Sequence, residues 1–208
     1  MSYPWPYRRI ATEEAFSVPE VYEARLGRDR RPGRAGPGLL GLRLHSGHAG
    51  AAPGPAALET GIWGFQAETG LHALRLICGG IFDRFPRLRI VLGHLGEGLP
   101  YWLYRLDYMH PIRASHQALP ALSLTPSEYV KRNFAITTSG MNWAPVLRFC
   151  IEAVGADNIM FAIDYPYQTT EAAVRFLDEA EISDEDRRKI YHRNAERIFG
   201  IPDCGEPA

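Results

Sequence analysis

The sequence predicts an α/β fold built from parallel strand–helix units, and three observations support this prediction. Short apolar runs rich in β-branched residues, typical of buried strands, occur at residues 88–92, 133–138 and 159–163. Longer stretches with helical spacing of apolar residues separate these runs, as connections between parallel strands require. The length of 208 residues, of which 46% are hydrophobic, suits one domain with a substantial core.

The N-terminal part of the chain is less regular. Residues 9–12 form a predicted short strand that runs into Glu13. Residues 28–57 are rich in Arg, Gly and Pro, so they bury too little apolar surface to offset the entropy of ordering. We interpret them as loop, apart from a candidate strand at residues 39–45. The chain then has about five strands, whereas a complete (β/α)₈ barrel has eight in about 250 residues.

Helices are predicted between and after the strands. One helix covers residues 63–85 and ends before Pro86, and the next follows the strand at 88–92 and runs to about residue 110. Thr125 is the predicted N-cap of a short helix with Pro126 at its first position. Further helices are predicted at residues 144–154, at residues 170–180, after the cap residue Ser183 and at residues 194–199.

Composition excludes several classes of protein. The net charge of −1 gives no electrostatic reason to expect a nucleic-acid or anionic-membrane partner. No apolar run approaches the roughly 18 residues of a spanning helix, and the first residues lack the apolar segment of a signal peptide. Three widely spaced cysteines (Cys78, Cys150 and Cys204) indicate neither a disulfide framework nor a CxxC metal site. We therefore expect a cytoplasmic protein, with Cys78 and Cys150 as small core residues.

The stretch from residue 88 to residue 105 carries the most chemical information. A predicted buried strand ends at His94, the chain turns on glycines beside Glu97, and a helix that contains Arg105 follows. An imidazole, a carboxylate and a guanidinium thus share one strand-to-helix corner. Barrels and open α/β sheets place their chemistry at such corners, beyond the carboxyl ends of parallel strands.

Four strand ends carry groups that could bind a metal ion: Glu13, His45, His94 and Asp164. Because parallel strands end at the same edge of a sheet, we expect these side chains to converge. Carboxylate and imidazole ligands suit Zn²⁺, Mn²⁺ or Fe²⁺. Each residue also has a plain structural interpretation: a hydrogen-bonded histidine, a solvated acid beside Glu14, or an aspartate that starts a turn. Arg105 could bind a substrate carboxylate or pair with a neighbouring acid.

Several motifs together resemble the amidohydrolase-related decarboxylases, which include the γ-resorcylate, 5-carboxyvanillate and aminocarboxymuconate-semialdehyde decarboxylases. The resemblance covers residues 8–16 and about 58–201. Its motifs are the run of residues 10–16, Trp63-Gly64-Phe65, residues 68–76, residues 82–86, the corner at residues 93–105, and Asp164-Tyr165-Pro166. It implies a metal-dependent TIM barrel, usually a homodimer, that decarboxylates a small hydroxylated aromatic acid without oxidation, and it leads us to expect a homo-oligomer here.

The resemblance also implies roles for individual residues. Glu13 and Asp164 match metal ligands for one divalent ion, manganese or zinc, and Asp164 matches the acid that protonates the ring carbon. His45 is the candidate for the ligand histidine of a middle strand, in poorly matching surroundings, and His48 is a weaker candidate. Ala15 stands where several relatives have a second ligand histidine, a feature shared with the 5-carboxyvanillate enzymes.

His94 and Glu97 match the active-site histidine–glutamate pair of that family, and Arg105 matches its substrate-contacting arginine. Glu13 and His45 are 32 positions apart here, against well over a hundred in the family. The resemblance therefore implies an incomplete barrel that lacks about three βα units after strand one. We expect a single domain over residues 1–208, with the first strand in residues 1–27, a junction at 28–57 and the C-terminal half of the barrel at 58–201.

Three functions remain open on the sequence alone. The first is a working metal-dependent carboxy-lyase, in which a partner chain could complete the barrel. The second is a hydrolase that uses a metal-activated water at the same site. The third is an inactive remnant of such an enzyme, since a shortened barrel exposes sheet edges and part of its core.

Overall fold

The computed structural model describes Leu58 and residues 60–116 and 119–202. Its strands are β1 (Ile90–Leu92), β2 (Phe134–Thr137) and β3 (Ile159–Met160), which form one parallel sheet in the order β1-β2-β3. The predicted parallel strand–helix architecture is confirmed for this part of the chain. The predicted strands at residues 9–12 and 39–45, the junction at 28–57, Glu13, His45, His48 and Cys204 lie outside the described residues.

Helices precede and follow every strand. They are α1 (Gly64–Cys78), α2 (Ile81–Arg84), α3 (Leu99–Ala114), α4 (Pro126–Asn133), α5 (Ala144–Val154), α6 (Thr170–Glu179), α7 (Asp184–Arg188) and α8 (Asn194–Phe199). A π-helical turn, Lys189–Arg193, joins α7 to α8. The predicted helices at residues 144–154 and 194–199 are confirmed at both ends. No helix in the described part of the chain is long and apolar enough to cross a membrane.

The predicted N-cap at Thr125 is confirmed in detail. The Thr125 hydroxyl accepts the Glu128 backbone N–H, and the Glu128 carboxylate accepts the Thr125 N–H at 2.7 Å. Such a capping box satisfies backbone donors that the first turn leaves unpaired. Ser183 caps α7 in the predicted way, since its hydroxyl accepts the Asp186 N–H at 3.0 Å.

The prediction of one helix over residues 63–85 is wrong in its middle. Gly79 ends α1, and Gly80, with φ of 69°, precedes α2. A Cβ at Gly79 would lie 2.7 Å from the carbonyl oxygen of Arg75, so a residue with a side chain would not fit this turn. Phe65, near the start of α1, is exposed.

Other predicted boundaries also differ from the structure, and the ends of α3 and of the third predicted strand are two examples. Helix α3 continues past Pro111 to Ala114, and the Ser115 N–H still bonds the carbonyl oxygen of Pro111. The predicted strand at 159–163 pairs with β2 at Ile159 and Met160 and no further along the chain. Its next residue, Phe161, donates its N–H to Ile190 at 2.8 Å instead.

The sheet has two different faces, as alternation along a strand requires. Large apolar side chains (Leu92, Phe134, Ile136, Ile159 and Phe161) belong to the main core with the helices. On the opposite face Val91, Ala135 and Met160 pack against Ala195 and Ile198 of α8. The two faces of the sheet therefore belong to two separate apolar clusters.

Two buried asparagines hold the amino-terminal ends of the strands. Asn133 donates from Nδ2 to the carbonyl oxygens of Pro86 and Leu88, which links the start of β2 to the approach of β1. Asn194 donates from Nδ2 to Ala156 and Ile159, both at 2.7 Å, which links α8 to the start of β3. Both side chains are almost inaccessible to solvent, so these hydrogen bonds satisfy groups that would be costly to bury unpaired.

Asp83 of α2 joins the first half of the described chain to α4. The Tyr129 hydroxyl donates to its carboxylate, and the Ser123 N–H donates at 3.2 Å. The hydrogen bond from Tyr129 is the largest cause that lowers the pKa of Asp83, with smaller contributions from Ser123 and Arg132 against partial desolvation. The folded state thus favours the charged carboxylate.

We expect Asp83→Asn to lower the free energy of unfolding near neutral pH by about 1 kcal/mol. Because the folded pKa lies below the unfolded value of about 3.9, this stabilisation is present above that value and is lost as pH falls through the folded pKa. Denaturant unfolding from neutral to acidic pH measures the effect. Glu152→Gln, at an exposed carboxylate with no partner among the described residues, is the control. An Asp83→Asn variant with the wild-type acid profile would contradict this account.

Candidate metal centre and active site

The candidate site lies beyond the carboxyl ends of the three strands. His94 follows β1 and Asp164 follows β3, and the structure brings His94 Nε2 to 3.6 Å from Asp164 Oδ2. The two side chains are 26% and 15% exposed, so solvent or a ligand reaches both. The convergence expected from parallel strand ends is therefore observed for these two residues.

Glu97 fixes the His94 ring from the other side. His94 Nδ1 lies 2.7 Å from Glu97 Oε1, and the glutamate side chain is only 5% exposed. Because an ionised carboxylate can only accept, the proton of this hydrogen bond belongs on Nδ1. A neutral ring then presents the Nε2 lone pair towards Asp164. Carboxylate–histidine pairs of this kind orient the second ring nitrogen towards a metal ion or a proton.

The backbone of the corner is held in an unusual conformation. His94, Leu95 and Glu97 have φ of 50°, 51° and 53°, in the left-handed region that side chains normally avoid. Each such residue costs of order 1–3 kcal/mol and persists only where its surroundings enforce it. Here the Leu95 side chain, 2% exposed, is buried in the core and anchors the turn.

The thiol of Cys150 supports the same turn from α5. Its Sγ lies 3.7 Å from the carbonyl oxygen of Leu95 and donates to it. Burial raises the pKa of the Cys150 thiol to about 11, so it stays protonated and serves as a donor. Cys150 is thus the core residue expected from the sequence, whereas Cys78 is only half-buried.

Glycines allow the corner to pack closely on its neighbours. A Cβ at Gly96 would lie 3.0 Å from both Ile136 Cγ2 and Pro100 Cδ. A Cβ at Gly70 of α1 would lie 3.1 Å from the carbonyl oxygen of Glu97. Helix α1 and strand β2 therefore press on the turn that carries His94 and Glu97.

Thr138 and Ser139 were not singled out from the sequence, yet Ser139 contacts the backbone of His94 and Thr138 contacts the segment that leads to Asp164. Ser139 Oγ accepts the His94 N–H at 3.2 Å, and Thr138 Oγ1 bonds Ala162, two residues before Asp164. The signal that could have found them is a run of hydroxyl residues, Thr137-Thr138-Ser139, at the end of an apolar strand.

The residues present fit part of a metal site. An imidazole nitrogen and a carboxylate oxygen face each other, and both are ligand types that Zn²⁺ and Mn²⁺ accept. A second oxygen of Glu97, Oε2, is buried without a hydrogen-bond partner among the described residues. Those residues hold no group of three or more His, Cys, Asp or Glu side chains suited to a metal ion. The other two predicted ligands, Glu13 and His45, lie outside them.

Arg105 is placed differently from the other predicted site residues. It is the seventh residue of α3, about 9 Å along the axis from the start of the helix. Its side chain is exposed and lines a shallow recess with Leu74, Trp102, Leu106 and Met109. Within the described residues it has no hydrogen bond or ion pair with His94, Glu97 or Asp164. Among the described residues the corner thus brings together the His94 imidazole and the Asp164 carboxylate, and Arg105 makes no direct contact with either.

We expect Gly96→Ala to destabilise the fold by about 1–3 kcal/mol more than Gly98→Ala. Both glycines have positive φ, 86° and 77°, so both variants share the backbone penalty. Only at Gly96 would the new methyl group meet Ile136 and Pro100, since no atom lies within 4 Å of a Cβ at Gly98. Denaturant unfolding of the two variants measures the difference. Equal stability of the two variants would refute the close packing of β2 against the corner.

Comparison with known proteins finds a matching family pattern and a similar sequence. The amidohydrolase family pattern matches residues 26–201. The chain is 35% identical over 201 residues to a gamma-resorcylate decarboxylase of Polaromonas sp. strain JS666, which covers 97% of this chain and 56% of that protein. The chain therefore spans about half the length of the relatives it matches.

Solved structures give the same family. The 5-carboxyvanillate decarboxylase of Sphingomonas paucimobilis matches with a TM-score of 0.66 and 52% identity, over 68% of this chain and 42% of that one. The 5-carboxyvanillate decarboxylase of Novosphingobium aromaticivorans, a complex with manganese and 4-hydroxy-3-methoxy-5-nitrobenzoic acid, matches with a TM-score of 0.67 and 45% identity, over 70% and 42%. The matching solved structures are TIM barrels, and they include decarboxylases of aromatic acids. Because the family pattern covers most of the chain and these structures agree with it, the chain belongs to the amidohydrolase family.

Proposed function

We propose that this chain is a metal-dependent decarboxylase of a hydroxylated aromatic carboxylic acid. The observation that carries the proposal is the His94–Glu97 pair facing Asp164 at the carboxyl edge of a parallel sheet. The names of the relatives, gamma-resorcylate and 5-carboxyvanillate decarboxylase, support the choice of reaction and of substrate class.

In this proposal Glu13, His45 and Asp164 hold one divalent metal ion, manganese or zinc. Manganese in the related Novosphingobium structure supports a divalent ion of this kind. When bound, the ion supplies positive charge that attracts the substrate carboxylate and a neighbouring phenolic oxygen. Arg105 is proposed to bind the substrate through its guanidinium, which matches a carboxylate in a bidentate way.

Asp164 is proposed as the acid of the reaction. Its carboxyl group gives a proton to the ring carbon that bears the carboxylate, and a C–H bond forms there. The bond to the carboxylate carbon then breaks, its electron pair returns to the ring, and CO₂ leaves. Because a nearby cation opposes protonation of a carboxylate, we propose that Asp164 takes up its proton only in the substrate complex.

His94 and Glu97 are proposed to control the protons around Asp164. The Glu97 carboxylate keeps a proton on His94 Nδ1, so that Nε2, 3.6 Å from Asp164 Oδ2, can accept or return one. The buried Glu97 stabilises the imidazolium form whenever Nε2 is protonated. Together they would return a proton to Asp164 once the next substrate is bound.

The architecture is proposed to be a TIM barrel that lacks about three βα units after the first strand. Support comes from the Polaromonas relative, whose match covers 97% of this chain but 56% of that longer protein. The proposed single domain consists of residues 1–27, the junction at 28–57 and the half-barrel at 58–201. A second copy of the chain would cover the missing wall, so we propose a homo-oligomer, located in the cytoplasm.

We expect CO₂ release from 2,6-dihydroxybenzoate or 5-carboxyvanillate to require Mn²⁺ or Zn²⁺ and to cease after chelation. Asp164→Asn removes the proposed acid and should lower the rate by at least about 10²-fold. The matched control is Asp184→Asn, an exposed aspartate at the start of α7, which should leave the rate unchanged.

The outcomes of this assay separate the open functions. Hydrolysis of lactones or amides without CO₂ release would replace the decarboxylase by a metal-dependent hydrolase. A folded chain that takes up no metal and turns over neither class of substrate would show an inactive remnant.

A further inference from the structure

We propose that residues 138–140, directly after β2, are a positioning element that fixes the gap between His94 and Asp164. None of the three residues is assigned to the reaction above. The proposal rests on the proposed function, because the distance between His94 and Asp164 matters for the reaction proposed there. Its evidence is a set of contacts from one short segment to both sides of the site.

Ser139 holds the His94 side of the gap. Its hydroxyl oxygen accepts the His94 backbone N–H at 3.2 Å, and it also lies 3.0 Å from the hydroxyl of Thr137. The Ser139 side chain is fully buried, so the hydroxyl cannot exchange this partner for water. This hydrogen bond fixes the first residue of the left-handed corner, from which the imidazole projects.

Thr138 holds the Asp164 side. The last backbone hydrogen bond between β2 and β3 runs from the Thr138 N–H to the carbonyl oxygen of Met160 at 3.0 Å. Beyond it the Thr138 hydroxyl replaces the backbone: Oγ1 donates to the Ala162 carbonyl oxygen at 3.0 Å and accepts the Ala162 N–H at 3.1 Å. The chain that leads to Asp164 is therefore tied to β2 by a buried side chain rather than by the sheet ladder.

Gly140 leaves the space in which the two groups face each other. A Cβ on this residue would lie 2.8 Å from His94 Cδ2, 3.2 Å from His94 Nε2 and 3.0 Å from Asp164 Oδ2. A methyl group there would push the ring and the carboxylate apart or turn them away. The φ of 63° at Gly140 also suits glycine.

These three contacts make residues 138–140 positioning residues. One rigid segment bonds the backbone on both sides of the gap and keeps the gap free of side-chain atoms. Small displacements of site groups are costly, since partners that orient metal ligands change metal affinity or activity by about 10- to 100-fold when they are removed.

The first test compares Gly140→Ala with Gly200→Ala in the full chain. Both glycines have φ of 63°, but no atom lies within 4 Å of a Cβ at Gly200, so only Gly140→Ala enters the gap. We expect Gly140→Ala to weaken Mn²⁺ binding by about 10- to 100-fold in calorimetric titration. We also expect it to shift the His94 ring resonance of the metal-free protein, assigned from its loss in His94→Asn. Gly200→Ala should change neither.

The second test removes the hydroxyls and does not depend on Gly140→Ala being folded. Thr138→Val keeps the side-chain shape but cannot bond Ala162, and we expect it to weaken Mn²⁺ binding by about tenfold or more. Thr138→Ser keeps the hydroxyl, so it should retain the wild-type affinity for Mn²⁺ even if its melting temperature is equal or lower. A purely structural threonine would lose stability in Thr138→Val without this selective rescue of binding. Ser139→Ala should shift the His94 resonance.

The results for the proposal and for the proposed function can be told apart. Should wild type bind Mn²⁺ and release no CO₂, the proposed reaction is wrong, and the positioning role is still decided by Mn²⁺ affinity and the His94 resonance. Should wild type bind no Mn²⁺, the His94 ring resonance of the variants alone decides whether residues 138–140 position the site. A His94 resonance and Mn²⁺ affinity that stay at wild-type values in Gly140→Ala, Thr138→Val and Ser139→Ala would overturn the positioning role.

Discussion

The parallel register of the three strands is the constraint on which the rest of the site depends. Leu92 lies opposite Ile136, and Thr137 lies opposite Met160, so the three strands end at neighbouring levels. The residues that follow them therefore share one edge of the sheet. A slip of one residue would exchange the two faces of a strand and would separate His94 from Asp164.

Stable packing compensates for a costly conformation at that edge. The left-handed residues of the corner carry the His94 imidazole, and buried neighbours enforce their conformation: Leu95 in the core, the Cys150 thiol on its carbonyl, and Ile136 against Gly96. The core thus stabilises an arrangement that the local backbone would not adopt alone.

The strands and the meeting of two site residues could be predicted from the sequence, because both follow from local patterns. Contacts that depend on the packing of distant segments could not. Apolar runs marked the strands, and the rule that parallel strands end together predicted that His94 and Asp164 meet. The break at Gly79 and Gly80 was missed because apolar spacing continues across it. The bonds of Thr138 and Ser139 were missed because they depend on which strands become neighbours. The direction of Arg105 depends on the rotation of α3, which its sequence spacing does not specify. The roles of Glu13, His45, His94, Glu97, Arg105 and Asp164 stay predictions.

Anomalous diffraction at the manganese edge, from crystals of the full chain grown with Mn²⁺, tests the central claim most directly. The account predicts one strong peak within coordination distance of an Asp164 carboxylate oxygen, with His94 beside it and Glu13 and His45 as further ligands. A bound manganese ion elsewhere on the chain, with Asp164 free of metal, would contradict it.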